Sequence, residues 1–218
     1  MLKAVVFDMD GVILDSERLS RRAWKELGEA RGFTDTDSLF AEAMGHSVDE
    51  LTAMFLERYG FDDYPGFRDE VFAWNRAHTP DGVIPLREGA RELLDFLKEN
   101  GILIGLATAT DGAVVNEELG ALGVLNSFDT IISGNMVSRC KPDPEIYLRA
   151  CTELGVRPEE AYGVEDGKNG ILALHAAGMP AVMAEDQYHP SPEIAALCEA
   201  VLPTLEAVRS HFSAVMRR

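Results

Sequence analysis

Two aspartates, Asp8 and Asp10, stand two residues apart where the apolar run Ala4–Phe7 ends, and Gly11 follows them directly. A short apolar run of this kind is the pattern of a buried strand, yet it stops at two charges. A carboxylate drawn out of water is costly unless a metal, a cation or a shared proton compensates it. Other chemically capable residues end later apolar runs. Thr108 follows "ILIGLA", Ser133 closes "FDTIIS" with Lys141 shortly beyond, and Glu165 and Asp166 follow "AYGV". In an open parallel sheet, ligands bind outside the carboxyl ends of the strands. Four acids, a threonine hydroxyl and one lysine are therefore expected to meet in a single crevice. Any one of these acids could be a solvated turn residue or a helix cap. The set is harder to explain that way, because each member falls at a strand end on the same edge.

The elements that must hold these residues follow from periodicity. After residue 82 helical and apolar stretches alternate: a helix over 89–100, a strand at 102–107, a helix near 113–122 and a strand at 128–133. Asp143 and Pro144 read as an N-cap and a first helical residue. Ile146, Tyr147, Ala150 and Leu154 then recur at helical spacing, and Gly155 is placed to end that helix. A strand at 161–166, a helix over 170–177, strands at 181–184 and near 200–202, and a terminal helix complete the series. Such alternation predicts an α/β fold, a parallel sheet covered on both faces. Residues 16–81 break the pattern and read as all-helical. Leu19, Ala23, Trp24 and Leu27 form one stripe, and Leu51, Met54 and Phe55 another. Trp24 and Trp74 are expected to fill this segment's core. The predicted organisation is an α/β core of residues 1–15 plus 82–218 with an all-helical cap of 16–81 inserted after the first strand.

The chain has 218 residues, 46% hydrophobic and 26% charged, with a net charge of -17. Nucleic acid and anionic membrane surfaces are poor partners for such a field. Three cysteines without metal-type spacing argue for a reducing compartment rather than a disulfide scaffold. Met1 leads almost at once into the first strand, leaving no room for a signal peptide, and no apolar segment is long enough for a bilayer. A cytoplasmic monomer acting on a small molecule is the expectation.

With "DMDG" at 8–11, Thr108 in "LATAT", Lys141 in "KPDP" and "EDGKNG" at 165–170, the chain resembles the haloacid dehalogenase superfamily of phosphotransferases. The resemblance extends over essentially the whole chain, the helical insertion included, and is strongest to the branch of beta-phosphoglucomutase and small sugar-phosphate phosphatases. It implies a Rossmann-like core and a set of roles. Asp8 would attack the phosphoryl group and form an aspartyl phosphate. Asp10 would protonate the leaving oxygen and later activate water. Lys141 and the Thr108 hydroxyl would hold the transferring phosphoryl oxygens. Mg²⁺ would be bound by the Asp8 carboxylate, the backbone carbonyl of Asp10 and Asp166, with Glu165 acting directly or through water. His46, Ser47 and Thr110 are candidate substrate contacts. His46 and Ser47 lie in the loop where this branch carries substrate specificity.

The resemblance implies a Mg²⁺-dependent phosphatase of a small phosphorylated metabolite, a sugar or polyol phosphate. Its rival is a phosphosugar mutase, which would share every core residue. A non-enzymatic, receiver-like phosphoacceptor is a third reading, and a dehalogenase is disfavoured because it needs no acid at Asp10. Three departures from the mutase pattern favour hydrolysis. Ser20 stands where that branch has a histidine, Asp111 stands where it has a cation, and Val48 stands where it has an arginine that contacts phosphate. A mutase must retain a bisphosphate between two poses, so losing two cations should be severe.

Overall fold

The computed structural model describes residues 2–44 and 48–217. In chain order its elements begin with β1 (Ala4–Phe7), α1 (Ser16–Ala30), α2 (Thr36–Ala43), α3 (Val48–Tyr59) and α4 (Tyr64–Ala77). There follow α5 (Ala90–Glu99), β2 (Leu103–Ala107), α6 (Gly112–Ala121), β3 (Thr130–Ile132) and α7 (Glu145–Leu154). The last are β4 (Ala161–Glu165), α8 (Lys168–Ala177), β5 (Ala181–Ala184), α9 (Pro192–Ala195), β6 (Ala200–Leu202) and α10 (Leu205–Val215). They form two compact units, one of the residues up to Asp15 and from Pro85 onward, the other of Ser16–Ile84.

The first unit is an α/β layer structure. Its six strands run parallel in the order β3-β2-β1-β4-β5-β6. The first strand therefore lies at the centre, where the winding of the sheet reverses, and this is where open α/β sheets bind ligands. All four residues of β1 are buried, as expected for a strand paired on both sides and covered on both faces. Side chains alternate between those faces. Ala4 and Val6 join Ile132, Ile146, Tyr147, Ile171 and Leu174 in one cluster, on the side where α7 and α8 pack. Helices α5 and α10 pack on each other, α5 against β2 and α10 against β5 and β6. They bury Leu93, Leu94, Leu97, Val208 and Phe212. Each large apolar side chain removed from water contributes roughly 1.5–3 kcal/mol.

Two helix ends show the local rules at work. Gly155 ends α7 in the left-handed region with φ 68, as its placement in the sequence predicts. The start of α7 differs from the expectation by one residue. The Asp143 carboxylate does accept an orphan N–H, that of Glu145 at 3.0 Å, but Pro144 sits at the N-cap instead of opening the helix. Helix α9 was not expected; its four residues are too few to show a helical period.

Among the described residues, the second unit packs the α-helices α1 to α4 around an aromatic core. Trp24 is the hub, with ring centroids 5.3 Å from Phe40 and 5.5 Å from both Phe55 and Phe67, all near edge-to-face. That arrangement suits the quadrupoles of the rings. Trp74 is also buried, and its indole N–H donates to Glu26 at 3.2 Å. Asp63 caps α4 by accepting the N–H of Gly66 at 3.0 Å. Among the described residues no helix is long and apolar enough to cross a membrane.

Candidate active site

Strand register brings the acids together. Phe7 pairs with Leu106 on one side and Val164 on the other, so Asp8 emerges level with the ends of β2 and β4. The Asp8 N–H donates to the Val164 carbonyl at 3.0 Å, which extends the ladder by one bond and fixes the direction of its side chain. The chain then reverses within a few residues at Gly11, whose φ of 73 is strained for any residue with a side chain.

Lys141 enters from the loop before α7 and places its ammonium between two carboxylates. Its Nζ lies 2.6 Å from Asp8 Oδ1, 2.7 Å from Glu165 Oε1 and 3.0 Å from the Ala107 carbonyl. All three ammonium protons are thereby used. Glu165 is held as firmly. The Tyr147 hydroxyl donates to its Oε1, and its Oε2 accepts the N–H of Asp166 at 3.2 Å. A Cβ on Gly170 would overlap the Glu165 carboxylate, so the first turn of α8 can lie over it only with glycine there.

Asp10 is held separately. Its Oδ2 accepts the Thr110 hydroxyl at 2.9 Å, and the Thr110 N–H donates to the Thr108 hydroxyl oxygen at 3.1 Å. The buried Ser133 donates to Asn135 Oδ1 at 2.7 Å, beside the N-terminus of α6. Asp111 caps that helix by accepting the N–H of Ala113 at 2.8 Å, which gives its charge a local task.

Burial sets the electrostatics. It lifts the Asp8 carboxyl from its ordinary 3.8 to about 7; Lys141 opposes the rise, and Glu165 and Asp10 add to it. Burial alone would lower the Lys141 ammonium, but Asp8 and Glu165 outweigh it and hold it well above its usual value. The Tyr147 hydroxyl is pushed up by burial and by Glu165, so it stays a proton donor.

Asp8, Glu165 and Asp166 each offer an oxygen within 4.8 Å of the others, and all three are buried. An all-oxygen set of carboxylates suits a hard divalent cation such as Mg²⁺.

These are the haloacid dehalogenase motifs in three dimensions, and a family model for haloacid dehalogenase-like hydrolases matches residues 2–178. The chain belongs to that family. Among its relatives, a phosphorylated carbohydrates phosphatase of Thermotoga maritima is 34% identical over 179 residues, 82% of each chain. A beta-phosphoglucomutase of Bacillus subtilis is 30% identical over 191 residues, 83% of this chain and 82% of that one. A crystal structure of CbbY from Rhodobacter sphaeroides in complex with phosphate superposes with a TM-score of 0.72 at 32% identity, covering 94% of this chain and 95% of that one. The protein is thus an enzyme of the haloacid dehalogenase-like hydrolase class.

The geometry gathers Asp8, Lys141, Glu165 and Asp166 into one cluster and links Asp10, Thr110 and Thr108 into another. His46 and Ser47 lie outside the described residues. Ser20, in the helical unit, accepts the Asn75 side-chain N–H at 3.0 Å. Two contributors escaped sequence reasoning. Tyr147 reads as one more core residue of a helical stripe, and its ring does join the core, but its hydroxyl reaches Glu165. Arg87, in the segment that returns from the helical unit, carries no periodic signal at all.

Proposed function

We propose that the protein is a Mg²⁺-dependent phosphatase of a small phosphorylated metabolite, a sugar or polyol phosphate, that works through an aspartyl phosphate on Asp8. The observation that carries this reading is Asp8 itself, a buried carboxylate with Lys141 on one oxygen and a second acid, Asp10, held apart from the salt bridge. A carboxylate oxygen of Asp8 attacks phosphorus, and the ester P–O bond breaks with its electron pair on the leaving oxygen. Asp10 gives that oxygen its proton. Asp10 then takes a proton from water as the water oxygen attacks the aspartyl phosphate, and the Asp8–phosphorus bond breaks to release inorganic phosphate. Lys141, giving up one of its present acceptors, and the Thr108 hydroxyl hold phosphoryl oxygens. Glu165 and Tyr147 fix Lys141. Asp8 and Asp166, with the Asp10 carbonyl and Glu165 completing the set, would hold Mg²⁺, which supplies positive charge against the repulsion between anionic nucleophile and phosphate. Residues 16–81 serve as the cap that selects the substrate, with His46, Ser47 and Thr110 as candidate contacts, and the enzyme works as a cytoplasmic monomer.

The mutase reading keeps its support from the Bacillus subtilis relative. Against it stand two residues at positions where the mutase branch has a histidine and a cation: Ser20, whose hydroxyl is engaged by Asn75, and Asp111, whose carboxylate caps α6. A panel of phosphorylated sugars, polyols and nucleotides, assayed with and without chelator, tests the proposal. Metal-dependent phosphate release that Asp8→Asn abolishes supports it; chelator-insensitive release overturns it. Beta-glucose 1-phosphate with a trace of the 1,6-bisphosphate decides between the two activities. Efficient glucose 6-phosphate formation with little free phosphate would select the mutase.

A further inference from the structure

The geometry points to Arg87 as a positioning residue for Asp10, an inference that rests on the phosphatase reading above. The loop after Asp8 is closed on itself: the Gly11 N–H donates to Leu14 at 3.0 Å, and the Ile13 and Leu14 N–H groups donate to Met9 at 2.8 and 2.9 Å. Its outer edge is laced to the segment beginning at Pro85. The Asp15 N–H donates to the Pro85 carbonyl and the Arg87 N–H to the Ile13 carbonyl, both at 2.9 Å, and Leu14 and Leu86 form an antiparallel bridge. The backbone of Arg87 therefore already lies against the loop that carries Asp10.

Its side chain adds a second attachment. One terminal nitrogen of the guanidinium donates to the Gly11 carbonyl at 2.6 Å and to the Ala184 carbonyl at 3.0 Å, and the other donates to the Glu185 carbonyl. Gly11 is the residue after Asp10, and Ala184 is the last residue of β5. One planar group thus ties the turn after the acid to the carboxyl end of a strand beyond β4. Guanidinium donors lie in a fixed fork, so three carbonyls held together fix the plane of the group and are fixed by it. Asp10 is consequently held from two directions, its carboxylate by Thr110 and its backbone through the Gly11 carbonyl by Arg87. The Gly11 and Glu185 carbonyls lie past strand ends, and that of Ala184 closes β5, so none of the three bonds is part of a strand-to-strand ladder. Their removal should release the loop before it weakens the fold.

A lysine at this position would keep the charge but lose the fork. A general acid displaced by an ångström transfers its proton poorly, and the loss is felt most where the leaving group needs the proton most. Arg87→Met and Arg87→Lys should be compared with wild type on aryl phosphates running from p-nitrophenyl to unsubstituted phenyl, with amide hydrogen exchange measured on the same proteins. The expected result is a loss of kcat roughly tenfold or more larger for phenyl than for p-nitrophenyl phosphate. Exchange at 11–15 should quicken while that of β1 is unchanged, and Arg87→Lys should fall between. If Arg87→Met fails to fold, Arg87→Lys carries the same comparison. Equal losses across the series, or unchanged exchange in the loop, would overturn the assignment. A wild type that releases phosphate from no ester sinks the phosphatase reading instead, and the exchange comparison then decides alone whether Arg87 holds the loop.

Discussion

The two units of this chain bury different things. Among the described residues, the buried acids Asp8, Glu118, Glu165 and Asp166 all belong to the α/β unit. The helical unit fills its core with Trp24, Phe33, Phe40, Phe55 and Phe67, and its buried polar residues, Ser16, Thr36 and Asn75, are uncharged. Aromatic packing of that kind is stabilising almost without reservation. Carboxylates in a protein interior are held there at a cost. One unit is thus close to what packing alone would select, and the other carries a local conflict that the proposed chemistry requires.

Asp8→Asn should break this contrast most visibly. Turnover should fall by more than about 10³-fold, since the proposed phosphoryl acceptor is gone. Stability should move the other way in metal-free protein. Asp8 keeps its proton up to about 7 when folded but loses it near 3.8 when unfolded. Over that window the folded state binds more protons, so the wild type loses stability as pH rises and the asparagine variant is spared that loss. Denaturation in chelator at both ends of the window checks the sign. A variant that gains nothing at the upper end would show that the α/β unit carries no such conflict.

Trp24→Ala tests the other half. Removing the aromatic hub should destabilise the helical unit by about 3–5 kcal/mol, while Mg²⁺ titrations of the α/β unit stay unchanged. Calorimetry and metal binding on the same sample separate the two effects.

Gly170→Ala sharpens the contrast at a single methyl group. Alanine normally favours a helix over glycine, yet here its Cβ would overlap the Glu165 carboxylate. The variant should lose about 1–3 kcal/mol and also turnover, because Glu165 orients Lys141. A stabilised Gly170→Ala would refute the close approach.

Mg²⁺ binding should release a proton below about pH 7, where Asp8 is protonated without metal. Apparent affinity should fall with decreasing pH there by up to about tenfold per unit, and level off above. Calorimetry in buffers of different ionisation enthalpy measures that proton. The smallest effect expected is in the helical unit, where Asp63→Ala removes one cap for about 1 kcal/mol with kcat unchanged.

Reading the sequence worked best where local rules and tertiary context agree. β5 and β6 emerge at the expected residues because their apolar runs are short and sharply bounded. Gly155 and Asp143 declare the ends of α7 through side-chain chemistry that acts within a few residues. Asp8, Thr108, Glu165 and Asp166 could be collected in advance because strand ends on one edge share a neighbourhood. Other contributors could not. The Tyr147 hydroxyl finds Glu165 across 18 residues and Arg87 finds Gly11 across 76, and no period or cap encodes such a meeting. Asp111, an acid where the mutase branch has a cation, also makes a helix cap that the comparison of motifs leaves out.

The central place of β1 has a consequence for how the enzyme can fail. Asp8 continues a strand that is hydrogen-bonded on both sides, to β2 and to β4. No fraying at an edge can release it, and both ladders must open before Asp8 is displaced. Partial openings that loosen the outer strands β3 and β6 should leave it in place. On slow heating, loss of catalysis should therefore coincide with cooperative melting of the sheet, and the amides of β1 should exchange only through global unfolding.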